Sequence, residues 1–111
     1  MLRPSEPQTG EDPIIALVRD GVRRLYGDRA ERIVLFGSRA RGDARPDSDY
    51  DVIVFLREHE GLWRELQPLG RLAIDIFDRA GAIVNFLPAR AEDYGRRTGF
   101  MHEVRSEGRA V

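Results

Sequence analysis

The sequence contains no cysteine and no long apolar run. Without cysteine, the chain of 111 residues has no disulfide, which is compatible with a reducing cytoplasm. A single domain of this length buries roughly two-thirds of the surface of its unfolded chain, so it needs no covalent cross-link. No stretch has the length needed to cross a bilayer, and the N-terminus lacks the apolar segment of a signal peptide. We therefore expect a soluble, cytoplasmic protein.

Lysine is also absent, because all 18 basic residues are arginine. No lysine is available as a Schiff-base former, as the cation of a P-loop or as an adenylated nucleophile. The 18 basic residues are balanced by 19 acidic ones, for a net charge of −1. This balance argues against direct, sequence-independent binding to nucleic acid.

The chain divides into a polar lead-in and one domain. Residues 1–12 predict a disordered segment, and residues 13–111 predict a single domain. The domain opens on a helix, since Asp12 can cap it, Pro13 suits its first position and Gly27 can end it.

Four short apolar runs predict strands, namely ERIVLFG (31–37), DYDVIVFL (49–56), RLAIDIF (71–77) and AIVNFLP (82–88). A short helix over 62–69 precedes the third run, and a hairpin turn over 78–81 joins the third run to the fourth. A last helix follows Thr98. The predicted fold class is α/β (α+β), a small mixed sheet of about four strands with helices packed on it.

Two aspartates introduce the second apolar run. Alternate residues of a strand share a face, so Asp49 and Asp51 point the same way. Two neighbouring carboxylates repel each other unless a cation lies between them, and Mg²⁺ favours such hard oxygen ligands. The alternative is a solvated aspartate pair at a frayed strand end.

A glycine-serine turn, FGSRARG, follows the first apolar run and favours the metal-site interpretation. Gly37 lets the backbone approach a ligand closely, and Ser38 offers a hydroxyl and a main-chain N–H. A helix opening after the turn would favour anions, and Arg39 adds a cation. This turn is not a Walker loop, because the terminal Gly-Lys-Ser/Thr is missing.

The string GSRARGDARPDSDYDVIVF resembles the signature of the DNA polymerase beta-like nucleotidyltransferase superfamily. It is most similar to a short bacterial branch, the minimal nucleotidyltransferases (MNT), and the resemblance covers nearly the whole chain from about Ile14. The resemblance implies a polymerase-beta-like nucleotidyltransferase fold. It also implies an enzyme that transfers a nucleoside monophosphate from a triphosphate to an acceptor hydroxyl.

The resemblance further implies a set of catalytic and metal-binding carboxylates. Asp49 and Asp51 would hold two Mg²⁺ ions, and a third carboxylate is expected on the next strand. Asp75, which interrupts the run LAIDIF, is the candidate for that third place, where it would share the metal nearer the acceptor. Asp78 is the fallback candidate, and an exposed edge-strand aspartate is the other interpretation of Asp75.

The same resemblance implies how ATP would be held. Gly37 and Ser38 would bind the β- and γ-phosphates of the ATP substrate, and Arg39 is a further phosphate-contact candidate.

Partners also follow from the resemblance. Minimal nucleotidyltransferases act as antitoxins of HEPN-type (HEPT) toxins, and some adenylylate a tyrosine of the toxin. The chain has no room for a substrate-binding domain of its own, so a partner or a second copy must complete the acceptor site. A hetero-oligomer with such a toxin is expected. The alternatives are a binding-only antitoxin that occludes the toxin and, ranked last, transfer to a small molecule.

Overall fold

The computed structural model describes residues 11–111, in which four strands form one mixed sheet. In chain order the elements are α1 (Pro13–Tyr26), β1 (Ala30–Phe36), α2 (Ser38–Arg41), β2 (Tyr50–Leu56), α3 (Leu62–Ala80), β3 (Val84–Arg90), α4 (Gly99–Glu107) and β4 (Arg109–Ala110). Short 3-10 turns cover Gly27–Arg29 and Ala91–Gly95. The strand order is β3-β2-β1-β4, in which β3 runs parallel to β2 and the other pairs are antiparallel. The predicted fold class is confirmed.

The first helix begins and ends where the sequence predicts. The Asp12 carboxylate accepts a hydrogen bond from the Ile14 N–H at 2.8 Å, so it caps the helix. Gly27 follows the last helical residue with a positive φ of 53°. The first ten residues of the predicted lead-in lie outside the described part of the chain.

The third predicted strand is wrong, because residues 71–77 belong to α3, which runs without a break from Leu62 to Ala80. The buried positions of this helix recur every three or four residues, the period of a helix. They are Glu65, Leu69, Leu72 and Ile76. In a strand Ile74 would share the face of Leu72 and Ile76, but in the structure it is 63% exposed.

The predicted hairpin over 78–81 is also wrong, since Gly81 instead ends α3 in the left-handed conformation. The parallel pairing of β2 with β3 explains why. Parallel neighbours cannot be joined by a tight turn and need a crossover connection, which α3 provides. The predicted number of strands still holds, because the short strand β4, which the sequence did not indicate, pairs with β1.

Each face of the sheet has its own apolar cluster. On one face, α1 and α3 cover alternate residues of β1 and β2, including Tyr50 and Val52. On the other face, Met101 and Val104 of α4 pack on Ile53 and Phe55. By the alternation of β2, Asp49 and Asp51 belong to this second face, at the end where the strand begins.

Among residues 11–111, no helix has the length and apolar character required to span a membrane.

Candidate active site

Asp49 and Asp51 lie side by side at the beginning of β2. Both carboxylates accept a hydrogen bond from the same amide nitrogen, Nδ2 of Asn85, at 3.3 and 3.2 Å respectively. Their shared orientation confirms what the strand period predicted. Within the described residues no arginine or histidine forms an ion pair with either carboxylate. Among residues 11–111, the pair is therefore two neighbouring carboxylates to which no cationic side chain is paired.

The Gly37–Ser38 turn directly abuts this pair. Phe36, the last residue of β1, is the register partner of Asp51, and the chain turns at Gly37 with φ 76° and ψ −155°. That conformation is essentially restricted to glycine. A Cβ at this position would lie 2.8 Å from Oδ2 of Asp51, so the turn also needs the missing side chain for space. The turn and the carboxylates, separate motifs in the sequence, form one site.

Arg39 stabilises the loop that leads to the pair. Its Nη2 donates to the carbonyl oxygens of Ser48 at 2.9 Å and Pro46 at 3.2 Å. Its guanidinium also stacks over the Tyr50 ring, with Cζ 4.2 Å from the ring centroid. These contacts make Arg39 a positioning residue for the loop before β2, and its phosphate contact stays a prediction.

Tyr50, between the two aspartates, anchors the site to α1 from the opposite face of the sheet. Its hydroxyl donates to the carboxylate of Asp12, the residue that caps α1. Burial and this hydrogen bond raise the pKa of Tyr50 to about 12. The phenol therefore keeps its proton to a higher pH than an exposed tyrosine does, and it donates that proton to the hydrogen bond with Asp12.

Asp75 lies elsewhere, which corrects its predicted position. It sits on α3, where its carboxylate pairs with Arg79 at 3.3 Å across one helical turn. It lines a groove between α1 and α3 with residues such as Arg23 and Arg24, and this groove includes neither Asp49 nor Asp51. Asp78, the fallback, is exposed on the same helix. The structure therefore brings neither residue to the aspartate pair.

Asn85 occupies the place where a third carboxylate was expected. It lies on β3, the strand next to β2, and it is the register partner of Asp51. The sequence did carry a signal for it, since Asn85 is the polar residue that interrupts the apolar run AIVNFLP. That is the same signal that selected Asp75, and only the pairing of strands distinguishes the two.

A cleft of about 370 Å³ opens beside Asp49, a size within the range of small-ligand sites. The loop before β2 forms one wall, and the residues that join α3 to β3 form the other. The lining residues include Arg39, Ser48, Asp49, Gly81 and Ile83.

The donor atoms at the pair fit a divalent cation. Mg²⁺ commonly binds through one or two protein carboxylates and takes its other ligands from substrate phosphates and water. Asp49 and Asp51 supply such a pair, and the Gly37 turn leaves the space beside Asp51 free of a side chain. Among the described residues, no group of three or more histidine, cysteine, aspartate or glutamate side chains could hold a metal ion.

Comparison with known proteins gives a family match over most of the chain. Residues 15–105 match the family model described as "Nucleotidyltransferase domain". A proposed protein adenylyltransferase of Methanocaldococcus jannaschii is 35% identical over 60 residues. The match covers 54% of this chain and 60% of that protein, so the chain aligns with less than two-thirds of its relative's length.

Three solved structures share the fold. A proposed minimal nucleotidyltransferase is 25% identical with a TM-score of 0.54, and the match covers 94% of this chain and all of that one. A proposed nucleotidyltransferase of Sulfolobus solfataricus has a TM-score of 0.61 at 16% identity, over 93% of this chain and 90% of that one. A toxin–antitoxin crystal structure with AMP-PNP has a TM-score of 0.56 at 22% identity, over 87% and 68% of the respective chains. The last two likenesses concern the fold alone.

Proposed function

Because the chain belongs to the nucleotidyltransferase domain family, we propose that it transfers AMP from ATP to a hydroxyl group of a partner protein. One observation carries the proposal. Two carboxylates, which pair with no cation among residues 11–111, lie together at the beginning of β2, and a glycine-serine turn lies directly against Asp51. A triphosphate and a divalent cation are the partners that such an arrangement accommodates.

In this proposal, Asp49 and Asp51 hold Mg²⁺, and the Gly37 backbone and the Ser38 hydroxyl bind the β- and γ-phosphates. Bound there, Mg²⁺ would neutralise phosphate charge and stabilise the leaving pyrophosphate. The acceptor oxygen forms a bond to the α-phosphorus, the bond from that phosphorus to the bridging oxygen breaks, and the hydroxyl proton passes to solvent. The contribution of the protein is mainly to position the reacting groups and stabilise charge.

The partner we propose is a toxin, and the chain would be its antitoxin in a cytoplasmic hetero-oligomer. Support comes from two relatives, one described as a protein adenylyltransferase and one as a toxin–antitoxin assembly with AMP-PNP. We further propose that the acceptor is a tyrosine of a HEPN-type toxin. This finer step rests on the sequence resemblance to minimal nucleotidyltransferases.

A binding-only antitoxin is the second candidate, and Asn85 is the observation that favours it. With asparagine where the resemblance implies a third carboxylate, the set of acidic residues is smaller than the one expected from the sequence. A protein that neutralises its toxin by occlusion would tolerate such a loss.

Isotope transfer separates the two candidates. The protein is incubated with Mg²⁺ and either α-³²P-ATP or γ-³²P-ATP in lysate of the source cells, which contains the acceptor. We expect the α label, and not the γ label, on one protein band. The variant Asp49→Asn/Asp51→Asn should reduce the labelling at least about 100-fold, as expected for losing charge-stabilising groups.

The matched control is Asp75→Asn/Asp78→Asn, which removes the same two charges from α3. It should label the band as the wild type does. Transfer of the α label by Asp49→Asn/Asp51→Asn at the wild-type rate would contradict the catalytic proposal. A toxin that stays neutralised with no transfer of either label would establish the binding-only candidate.

A further inference from the structure

The neighbour of the aspartate pair on β3 is a neutral amide. Asn85 is the register partner of Asp51, it is exposed, and its Nδ2 donates to one oxygen of each aspartate. On the β1 side, the register partner of Asp51 is the apolar Phe36, and Gly37, the residue after it, contributes no side chain. The pair is thus flanked by an uncharged donor on one side and by an apolar side chain and the glycine backbone on the other.

We propose that this site holds one divalent cation with its nucleotide, not two, and that Asn85 fixes that number. The inference rests on the proposed function, because it concerns the same aspartates. Two divalent ions in one site lie roughly 4 Å apart and repel each other strongly. Anionic ligands on both ions are needed to offset that repulsion, and the protein supplies two carboxylates.

A third carboxylate does not reach the pair from elsewhere in residues 11–111. Asp75 is paired with Arg79 on α3. Asp47 precedes Asp49 in the loop and lines the same cleft, yet it forms no cluster of three acidic side chains with the pair. A second ion would therefore have to share the same two carboxylates and take its remaining ligands from substrate and water.

The amide has a function of its own in this arrangement. Asn85 draws two like-charged groups together by donating to both, and it adds no charge. An aspartate at the same position would place a third negative charge within hydrogen-bonding distance of both. That change should lower the stability of the metal-free protein, because three negative charges repel one another. It should also raise the affinity of the site for a second cation.

Counting bound Mn²⁺ by the EPR signal of the free ion tests the proposal. The protein is mixed with equimolar AMP-PNP, and Mn²⁺ is titrated to concentrations well above the analogue's own dissociation constant. We expect the wild type to retain one Mn²⁺ per complex and Asn85→Asp to retain two. Asp75→Asn, which removes a carboxylate from α3, should retain one, as the wild type does.

Each outcome has a distinct meaning. Two Mn²⁺ ions in the wild-type complex would overturn the single-ion proposal while leaving the proposed function intact. Equal Mn²⁺ affinity in the wild type and in Asp49→Asn/Asp51→Asn would instead show that the aspartate pair does not bind the metal. That result would also contradict the proposed function. The melting temperature without nucleotide provides a second measurement.

Without metal, we expect Asn85→Asp to have a lower melting temperature than the wild type. On addition of Mn²⁺, its melting temperature should rise by more than that of the wild type. If Asn85→Asp does not fold, the wild-type and Asp75→Asn counts still decide the number of ions. A wild-type melting temperature that rises with Mn²⁺ as much as that of Asn85→Asp would contradict a role for Asn85.

Discussion

Two segments of this protein place aspartates among large apolar residues, and the fold uses them in opposite ways. Residues 49–55 (DYDVIVF) lead into the strand β2, and residues 74–78 (IDIFD) lie in the helix α3. The carboxylates of the first segment point the same way and, within the described residues, have Asn85 as their side-chain partner. In the second segment, Asp75 is paired with Arg79.

The difference shows that a carboxylate's role depends on what the fold places beside it. On α3, a cation one helical turn away neutralises Asp75, and exposed pairs of this kind contribute about 0.3–0.5 kcal/mol. On β2, the two aspartates pair with no cation among residues 11–111, and a glycine turn lies directly against Asp51. The first carboxylate is paired within the chain, whereas our proposed function assigns a divalent cation to the second pair.

The largest expected effect concerns the helical state of the second segment. In the helix, Ile76 is buried at 1% exposure and Ile74 is 63% exposed, whereas a strand would place both on one face. Ile76→Ala should therefore lower the free energy of unfolding by about 2–5 kcal/mol. Ile74→Ala should change it by less than about 0.5 kcal/mol.

Urea denaturation followed by circular dichroism measures both variants, which differ in the same side-chain atoms. Equal losses for the two variants would contradict the helix and restore the strand interpretation of residues 71–77.

A smaller effect is expected in the turn beside the first segment. Gly37→Ala introduces a Cβ 2.8 Å from Oδ2 of Asp51 in a conformation restricted to glycine, and such strain costs about 1–3 kcal/mol. Gly42→Ala is the matched control, because Gly42 also has a positive φ but no atom lies within 4 Å of its added Cβ. Its cost should be the ordinary left-handed penalty of about 1–2 kcal/mol.

Only Gly37→Ala should also weaken Mn²⁺–nucleotide binding, since only that turn contacts the aspartate pair. Mn²⁺ titration alongside thermal unfolding distinguishes the two variants. If both variants bound Mn²⁺–nucleotide like the wild type, the turn would not be part of the site.

The smallest effect is confined to alkaline pH and concerns the residue between the two aspartates. The pKa of Tyr50 is raised to about 12 in the folded protein from an ordinary 10.0, mainly by burial and then by its hydrogen bond to Asp12. Its contribution to stability is therefore complete below about pH 10 and is lost as the pH rises through about 12. Burial gives Tyr26 a similarly raised pKa of about 12.

Accordingly, the free energy of unfolding of the wild type should fall between about pH 10 and pH 12. Tyr50→Phe and Tyr26→Phe should each show a shallower fall, measured by urea titration at successive pH values. A fall as steep in Tyr50→Phe as in the wild type would show that Tyr50 is not held in its neutral form by the fold.

The sequence was sufficient for the features that depend on local pattern. Asp12, Pro13 and Gly27 defined the first helix because caps and glycine stops act within a few residues. The alternation around Asp49 and Asp51 predicted their common face for the same reason. The signature that contains Gly37 and Ser38 identified the family, which the match over residues 15–105 confirms.

Tertiary structure alone decided what stands beside the pair. The run RLAIDIF is short and mostly apolar, like the strand segments, but Leu72 and Ile76 continue the helical spacing that begins at Glu65. The helix that results is the crossover between β2 and its parallel neighbour β3. That crossover removes Asp75 from the sheet and brings Asn85 to Asp51 instead. The sequence alone could not reveal this contact, since Asn85 lies 34 residues from Asp51 and 36 residues from Asp49.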